Sequence, residues 1–336
     1  MATTMREGMG PMPDRHVRVL HAVAEDYIRT AHPVPSQAVA SRLDVSSATV
    51  RNDFGMLEQG GLLQQPHTSA GRIPTPAGFR YYAASYLPPR RLPKDARRTI
   101  MQRLASAEGD DVFVEASRLA AKLSGYAVLI RLPADDQLTI HEIHLSLVSS
   151  RRLLAVVVLE NGLVRQIGVD IDPMPSESVI DDAERNLRQL GLSIGEVPKA
   201  LKAVAATAGD EDLARTLEAL GDAWNGLRAP KRFRDGLKLL LGEPEGEDPS
   251  FVRLVVEHVE GESAAAGSPR GDLDLELDDK IALVSASFAF GGGHGALTLI
   301  GPARMRYPRA LSVASEFGRA LSPGPEEGAE GPGDDR

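Results

Sequence analysis

The sequence predicts an α+β protein with a helical head, on three observations. Residues 14–82 read as helix, short helix, turn, helix, hairpin and helix. From 126 onward, strand patterns are followed at 176–240 by amphipathic helices. Strand patterns then resume near 281. Strands, then helices, then strands mark an α+β body with an inserted helical segment, not the regular alternation of a parallel sheet.

The head is the best-marked part. "DRHVRVLHAVAEDYIRTA" places Val17, Leu20, Val23, Ala24 and Ile28 at helical spacing, with Asp14 as the expected N-cap. "HPVPSQ" ends that helix, and Ser36 opens a second, short one, "SQAVASRL". "DV" turns the chain into a third, "SSATVRNDFGMLEQG", capped by Ser46 or Ser47 and stopped at Gly60. "GLLQQ" and "RIPT" read as the two strands of a hairpin. Thr75-Pro76 then starts a fourth helix, a hydroxyl cap followed by proline at the first helical position, which ends before Pro88-Pro89. This order is that of a winged helix-turn-helix.

In the body, a helix is expected over about 96–123 and strands at 126–131, 138–148, 152–159 and 164–171. Helices are expected within 176–190, 196–207, 211–221 and 230–241. After glycines and acids at 242–249 come the helix "PSFVRLVVEHVE", a low-complexity "GESAAAGSPRG", and strands near 281–290 and 296–300. "DLDLELDD" at 272–279 alternates acid with leucine, the pattern of an edge strand blunted by charge. The tail from 322 is acidic, rich in Gly and Pro, and expected to be disordered.

Composition bounds the chemistry. The chain has 336 residues, enough for two or three domains, with 42% hydrophobic and 25% charged residues and no cysteine. Disulfides and thiolate metal sites are thereby excluded. The N-terminus lacks the apolar centre of a signal peptide, and the longest apolar run, "LLAVVVL" at 153–159, is too short to span a bilayer. No membrane partner and a cytoplasmic location are therefore expected. The net charge of −9 is unevenly spread. Residues 1–98 hold 13 Arg/Lys against 8 Asp/Glu, a net of +5, and the remainder carries −14. A basic head on an acidic body is the electrostatic outline of a nucleic-acid-binding protein.

The third helix carries the site. Val50, Phe54 and Leu57 fall on one face, the core face at 100° per residue. Opposite lie Ala48, Asn52, Gly55 and Gln59, flanked by Thr49 and Met56 on one side and Arg51 on the other. Such a face suits a DNA major groove. Asn or Gln bonds adenine bidentately, methyl groups of Ala and Thr touch thymine, and Arg takes guanine or phosphate. Ser47, at the helix start, joins the expected DNA-binding set. Gly55 costs roughly 1 kcal/mol of helix stability against alanine, a cost that close approach to DNA would explain. The loop "QQPHTSAGRIPT" is then the wing. Thr68 and Ser69 suit phosphates, and His67 or Arg72 a narrow minor groove, with Pro66 and Pro74 stiffening the hairpin.

Rival sites are weaker. "GGGHGA" at 291–296 is followed by "LTLI", a strand, so no helix N-terminus meets a pyrophosphate. His141 and His144 of "HEIH" point to opposite faces of a strand. No catalytic triad motif occurs. No cofactor, no metal and no enzymatic activity are expected.

"SSATVRNDFGMLEQGGLLQQPHTSAGRIPTPAGFRYY" (46–82) resembles the signature of the heat-inducible transcription repressor HrcA family, and "GALTLIGPARMRYPRAL" (295–311) resembles its closing Gly-Pro-x-Arg-Met-x-Tyr motif. The segment at 261–280 departs from the family pattern. The resemblance implies a winged-helix DNA-binding domain (1–90), a GAF-like domain in two parts (91–175 and 246–321) and a dimerisation insertion (176–245), before the tail (322–336). It further implies a homodimer on an inverted-repeat double-stranded DNA operator ahead of chaperone operons, kept active by the GroEL–GroES chaperonin. The alternative is a winged-helix repressor sensing a small metabolite through its GAF-like domain. The two differ in whether ligand or chaperonin controls operator binding.

Overall fold

The computed structural model describes residues 12–67, 71–133, 136, 138–160, 162–227, 231–260, 272–290 and 293–322. The expected wing contacts Thr68 and Ser69, the low-complexity stretch through 271 and the acidic tail beyond Ser322 lie outside those residues. The chain forms two compact units. One comprises Met1–Ile130, Phe233–Phe288 and Ala296–Arg336, the other Arg131–Arg232 with Ala289–Gly295.

The first unit begins with the head. Helices α1 (Asp14–Thr30), α2 (Ser36–Leu43) and α3 (Ser47–Gln59) share one core, in which Val19, Leu20 and Val23 of α1 meet Val39 and Ala40 of α2 and Val50, Phe54 and Leu57 of α3. Asp14 is not the N-cap. Pro13 occupies that position without a side-chain bond, and Asp14 supplies the negative charge of the first turn. Ser46 caps α3, its hydroxyl accepting the Thr49 N–H at 3.0 Å.

Strands β1 (Leu63–Gln64) and β2 (Ile73–Pro74) pair antiparallel, Leu63 opposite Pro74 and Gln64 opposite Ile73. The wing is also held from its other side. Val34 and Arg72 exchange two backbone hydrogen bonds of 2.9 Å. Gly71 makes that approach possible, since a Cβ there would stand 2.3 Å from the Val34 carbonyl. Helix α4 (Pro76–Ala84) starts as expected. The Thr75 hydroxyl accepts the Gly78 N–H at 3.1 Å and donates to the Gly61 carbonyl at 2.6 Å.

After the head, the helix expected over 96–123 is two, α5 (Lys94–Ala105) and α6 (Asp111–Ser124), because Gly109 between them adopts φ 54°. Strand β3 (Ala127–Arg131) follows.

The second unit has its own antiparallel sheet, β4 (Ile140–Ser149), β5 (Arg152–Leu159) and β6 (Val164–Asp170), in that order. Ile143, Leu145, Leu153, Ala155, Val157, Leu159, Ile167 and Val169 form its inward face. They share a core with Ile180, Ala183 and Leu187 of α7 (Glu177–Leu190), Leu201 of α8 (Val197–Ala205), and Leu217 and Trp224 of α9 (Glu211–Trp224). The inserted unit therefore starts at Arg131, upstream of the boundary at 176 that the sequence suggests. Strands β4–β6 need α7–α9 to cover them, and the helices need the sheet.

The chain re-enters the first unit through β7 (Arg232–Asp235) and the short α10 (Leu237–Leu240). The sequence pattern suggested one helix over 230–241. Gly236, at φ 79°, ends the strand, and β7 instead pairs with β3. Helix α11 (Pro249–Glu260), strands β8 (Leu273–Leu277), β9 (Ile281–Phe290) and β10 (Gly293–Pro302), and helix α12 (Tyr307–Leu321) complete the chain. The five-stranded sheet has the order β7-β3-β10-β9-β8, which leaves the acid-and-leucine strand β8 at an edge, as its alternation implied.

Candidate nucleic-acid interface

The geometry of the head turns on how α3 is held. Val50 is fully buried, Phe54 and Leu57 nearly so, and the fourth residue facing inward is Asp53, with no exposure at all. A buried carboxylate is costly unless paired. Asp53 is paired twice by α1: the Arg15 guanidinium donates to both its oxygens at 2.8–3.1 Å, and His16 Nε2 lies 3.2 Å away. This contact fixes the rotation of α3 about its axis, and with it the direction of the opposite face. Helical spacing alone did not single out Asp53, whose partners lie on another helix.

On the opposite face Ala48, Arg51, Asn52 and Gln59 are exposed, and so is Met56. Arg51, Asn52 and Gln59 have no hydrogen-bond or ion-pair partner among the described residues, which leaves their donors and acceptors free for a ligand. Gly55 sits among them, and a Cβ built on it would meet nothing within 4 Å. No packing need inside the protein explains this glycine.

The helix start is used differently. Ser47 and Thr49 are half-buried. The Ser47 hydroxyl lies 2.9 Å from that of Ser36, tying α3 to α2, and the Thr49 hydroxyl lies 2.8 Å from that of the capping Ser46. Both side chains thus serve the turn of the helix-turn-helix.

In the wing, His67 is exposed. Arg72 is placed otherwise than the sequence suggested. Its guanidinium is bonded to Glu58 of α3 at 3.1–3.2 Å and lies 6.0 Å from the Phe54 ring centroid. A side chain so engaged clamps the wing base to α3 and does not extend toward a groove. The partner, Glu58, could not be named from spacing. Behind this surface His21 is enclosed by the rings of Tyr82 (5.0 Å, edge-on) and Tyr86 (6.2 Å, stacked). Burial pushes its imidazole below the ordinary value of 6.5, against the raising effect of Glu25.

The rival histidines lie in the second unit. His144 contacts Glu142 at 3.0 Å and Arg188 at 2.9 Å, while His141 stands at a register shift between Ile140 and Glu142. Among the described residues no group of three or more His, Cys, Asp or Glu could hold a metal ion, and no helix is long and apolar enough to cross a membrane.

Comparison with known proteins bears on both units. Residues 110–311 match the family model of the HrcA protein C terminal domain, and residues 24–75 that of the DeoR-like helix-turn-helix domain. The chain is 30% identical over 334 residues to the heat-inducible transcription repressor HrcA of Shouchella clausii, covering 93% of this chain and 97% of that protein. It is 31% identical to the protein of the same description from Moorella thermoacetica, with the same coverage. Among solved structures, one described only as a hypothetical protein at 2.2 Å resolution shares the fold, with a TM-score of 0.61 and 24% identity. That match covers 93% of this chain and all of the other.

Proposed function

The chain belongs to the HrcA family of heat-inducible transcription repressors, and we propose that it binds, as a homodimer, an inverted-repeat operator ahead of chaperone operons. The carrying observation is the unpartnered polar face of α3. Arg51, Asn52 and Gln59 project beside an unexplained Gly55, on a helix held by the Asp53–Arg15 pair. On this reading Asn52 and Gln59 read bases, Ala48 touches thymine methyls, and Arg51 takes guanine or phosphate. Thr68 and Ser69 contact phosphates and His67 enters a narrow minor groove, whereas Arg72, Ser47 and Thr49 hold the reading surface in shape.

A palindromic site requires two heads, and one small head makes too few contacts for specific affinity at physiological salt. We place the dimer interface on the second unit. The outward face of its middle strand carries Leu154, Val156 and Val158, all half-buried, and the adjacent Val164 is 51% exposed. Polar residues rim this strip: His144 and Ser146 on β4, Gln166 on β6. An apolar centre with a polar rim is the anatomy of a subunit interface.

The GroEL–GroES chaperonin is proposed to keep the dimer competent. The relatives' names, which specify heat induction, favour this over a metabolite sensor. A footprint on the organism's own chaperone promoter tests the operator reading. Two protected half-sites about one helical turn apart, 10–10.5 bp or a multiple, are expected; protection without two-fold symmetry would defeat the proposal.

A further inference from the structure

We infer that Arg304 is a positioning residue that locks the DNA-binding head to the five-stranded domain, so that the head cannot turn on that domain to follow a half-site moved along the DNA. The inference rests on the homodimeric operator reading above. Arg304 belongs to "GPARMRY", between β10 and α12, a motif that the DNA-binding surface does not use. It is only 8% exposed and spends its guanidinium on three separate groups. Nη1 donates to the Ile28 carbonyl at 3.1 Å. Nε and Nη2 donate to the two Glu245 oxygens at 2.7 and 2.8 Å, and Nη2 also to Glu243 at 2.7 Å.

Ile28 lies in the last turn of α1, where carbonyls lack partners within the helix and a cation is favoured. Glu243 and Glu245 lie between α10 and α11. One side chain therefore joins the helix that holds α3, through Asp53, to two other parts of the domain. The same motif grips the head a second time. Tyr307, fully buried, sets its ring 5.8 Å from Phe79 and 6.4 Å from Tyr82 of α4.

An apolar side chain would fill this volume without desolvating three charges, because a buried ion-pair cluster adds little net stability. What the planar fork adds is direction, since its donors satisfy all three groups only in one relative pose. Lysine, a point charge on a flexible stem, cannot reproduce that pose.

The test uses the full-length protein, with operators whose two half-sites are moved together or apart by a few base pairs, and with an isolated half-site. Wild type is expected to lose roughly 100-fold in affinity when the spacing is wrong, since paired binding is lost once geometry forbids it. Arg304→Met and Arg304→Lys should lose less than about tenfold on the same change while binding the single half-site as wild type does. Arg304→Met leaves two glutamates unpaired, so the double variant Glu243→Gln/Glu245→Gln opens the clamp from its more exposed side and is expected to behave alike. Folded variants that keep the wild-type spacing preference overturn the inference, and so does weakened half-site binding, which would place the defect within the head. A wild type indifferent to paired half-sites overturns the dimeric operator reading instead.

Discussion

Asn52 and Gly55 lie one turn apart on the exposed face of α3, and they separate reading from packing. Asn52→Ala should cost about 1–3 kcal/mol on the operator and relax preference at one base pair, leaving binding to random DNA nearly unchanged. Gly55→Ala meets no atom of the protein within 4 Å, so it should stabilise the head by roughly 1 kcal/mol while weakening operator binding. Equal losses on specific and random DNA for Asn52→Ala, or unimpaired binding by the stabilised Gly55→Ala, would contradict the assignment. His21 adds a pH dependence. Its folded-state pKa lies below the unfolded value because burial disfavours the charged ring. The unfolded chain therefore takes up the proton first as pH falls below about 6.5, and stability present above that pH is lost on the way down to the folded pKa. Denaturant titrations of wild type and His21→Gln should diverge only below about pH 6.5; parallel profiles would remove His21 from the account. At this scale the core face of α3 was legible, because Val50, Phe54 and Leu57 follow helical spacing. Asp53 and Arg72 were not, since a polar side chain's partner on another element leaves no trace in its own periodicity.

The wing shows what a single element can be asked. Gly71 passes the Val34 carbonyl at a distance that no Cβ tolerates, so Gly71→Ala must push the hairpin off the α1–α2 connection. We expect a loss of about 1–3 kcal/mol in head stability and a larger proportional loss of operator affinity, because the wing and α3 share the Arg72–Glu58 contact. Hydrogen exchange at Val34 and Arg72 would report the broken bridge, and unchanged protection would refute this account. On β5 the critical position is Val156, central in the outward strip, between His144 and Gln166. Val156→Asp should yield a folded monomer with weak operator binding; a dimer surviving the substitution would move the interface elsewhere. The head's helices and hairpin were readable because capping hydroxyls, prolines and glycines punctuate them. Two other elements were not. Helix α12 repeats Tyr307, Ala310, Leu311, Ala314 and Phe317 at helical intervals, all buried, but "GPARMRY" runs straight into its first residue and masks where the period begins. Strand β7 hides because Arg232–Asp235 runs directly into leucines of helical spacing, and only pairing with β3 decides between the two.

For the whole molecule, the question is how heat reaches the DNA-binding surface. The insertion, Arg131–Arg232, supplies most of the second unit, which also takes in Ala289–Gly295, and it has its own core. Removing only its helices would bare the inward face of β4–β6, so an assembly test by deletion should excise the whole unit between β3 and β7, which are neighbours in the sheet. The two units are compact by themselves, and on the homodimeric reading each must fold for two heads to be presented. Stability is a small difference between large opposing terms and falls steeply on heating, so loss of the fold on heating is by itself a route to inactivation. If the competent dimer forms only with help from the GroEL–GroES chaperonin, unfolded clients compete for that help during stress. Incompetent repressor then accumulates and the chaperone genes open. Purified chaperonin with ATP should raise the operator-competent fraction of the full-length protein, measured by titration with labelled operator at a fixed temperature. An excess of denatured client protein should cancel the gain, and removing the client should restore it. Indifference of the competent fraction to both additions would break the chaperonin link while leaving the DNA-binding assignment intact, because that assignment stands on the helix-turn-helix and its family and not on the chaperonin.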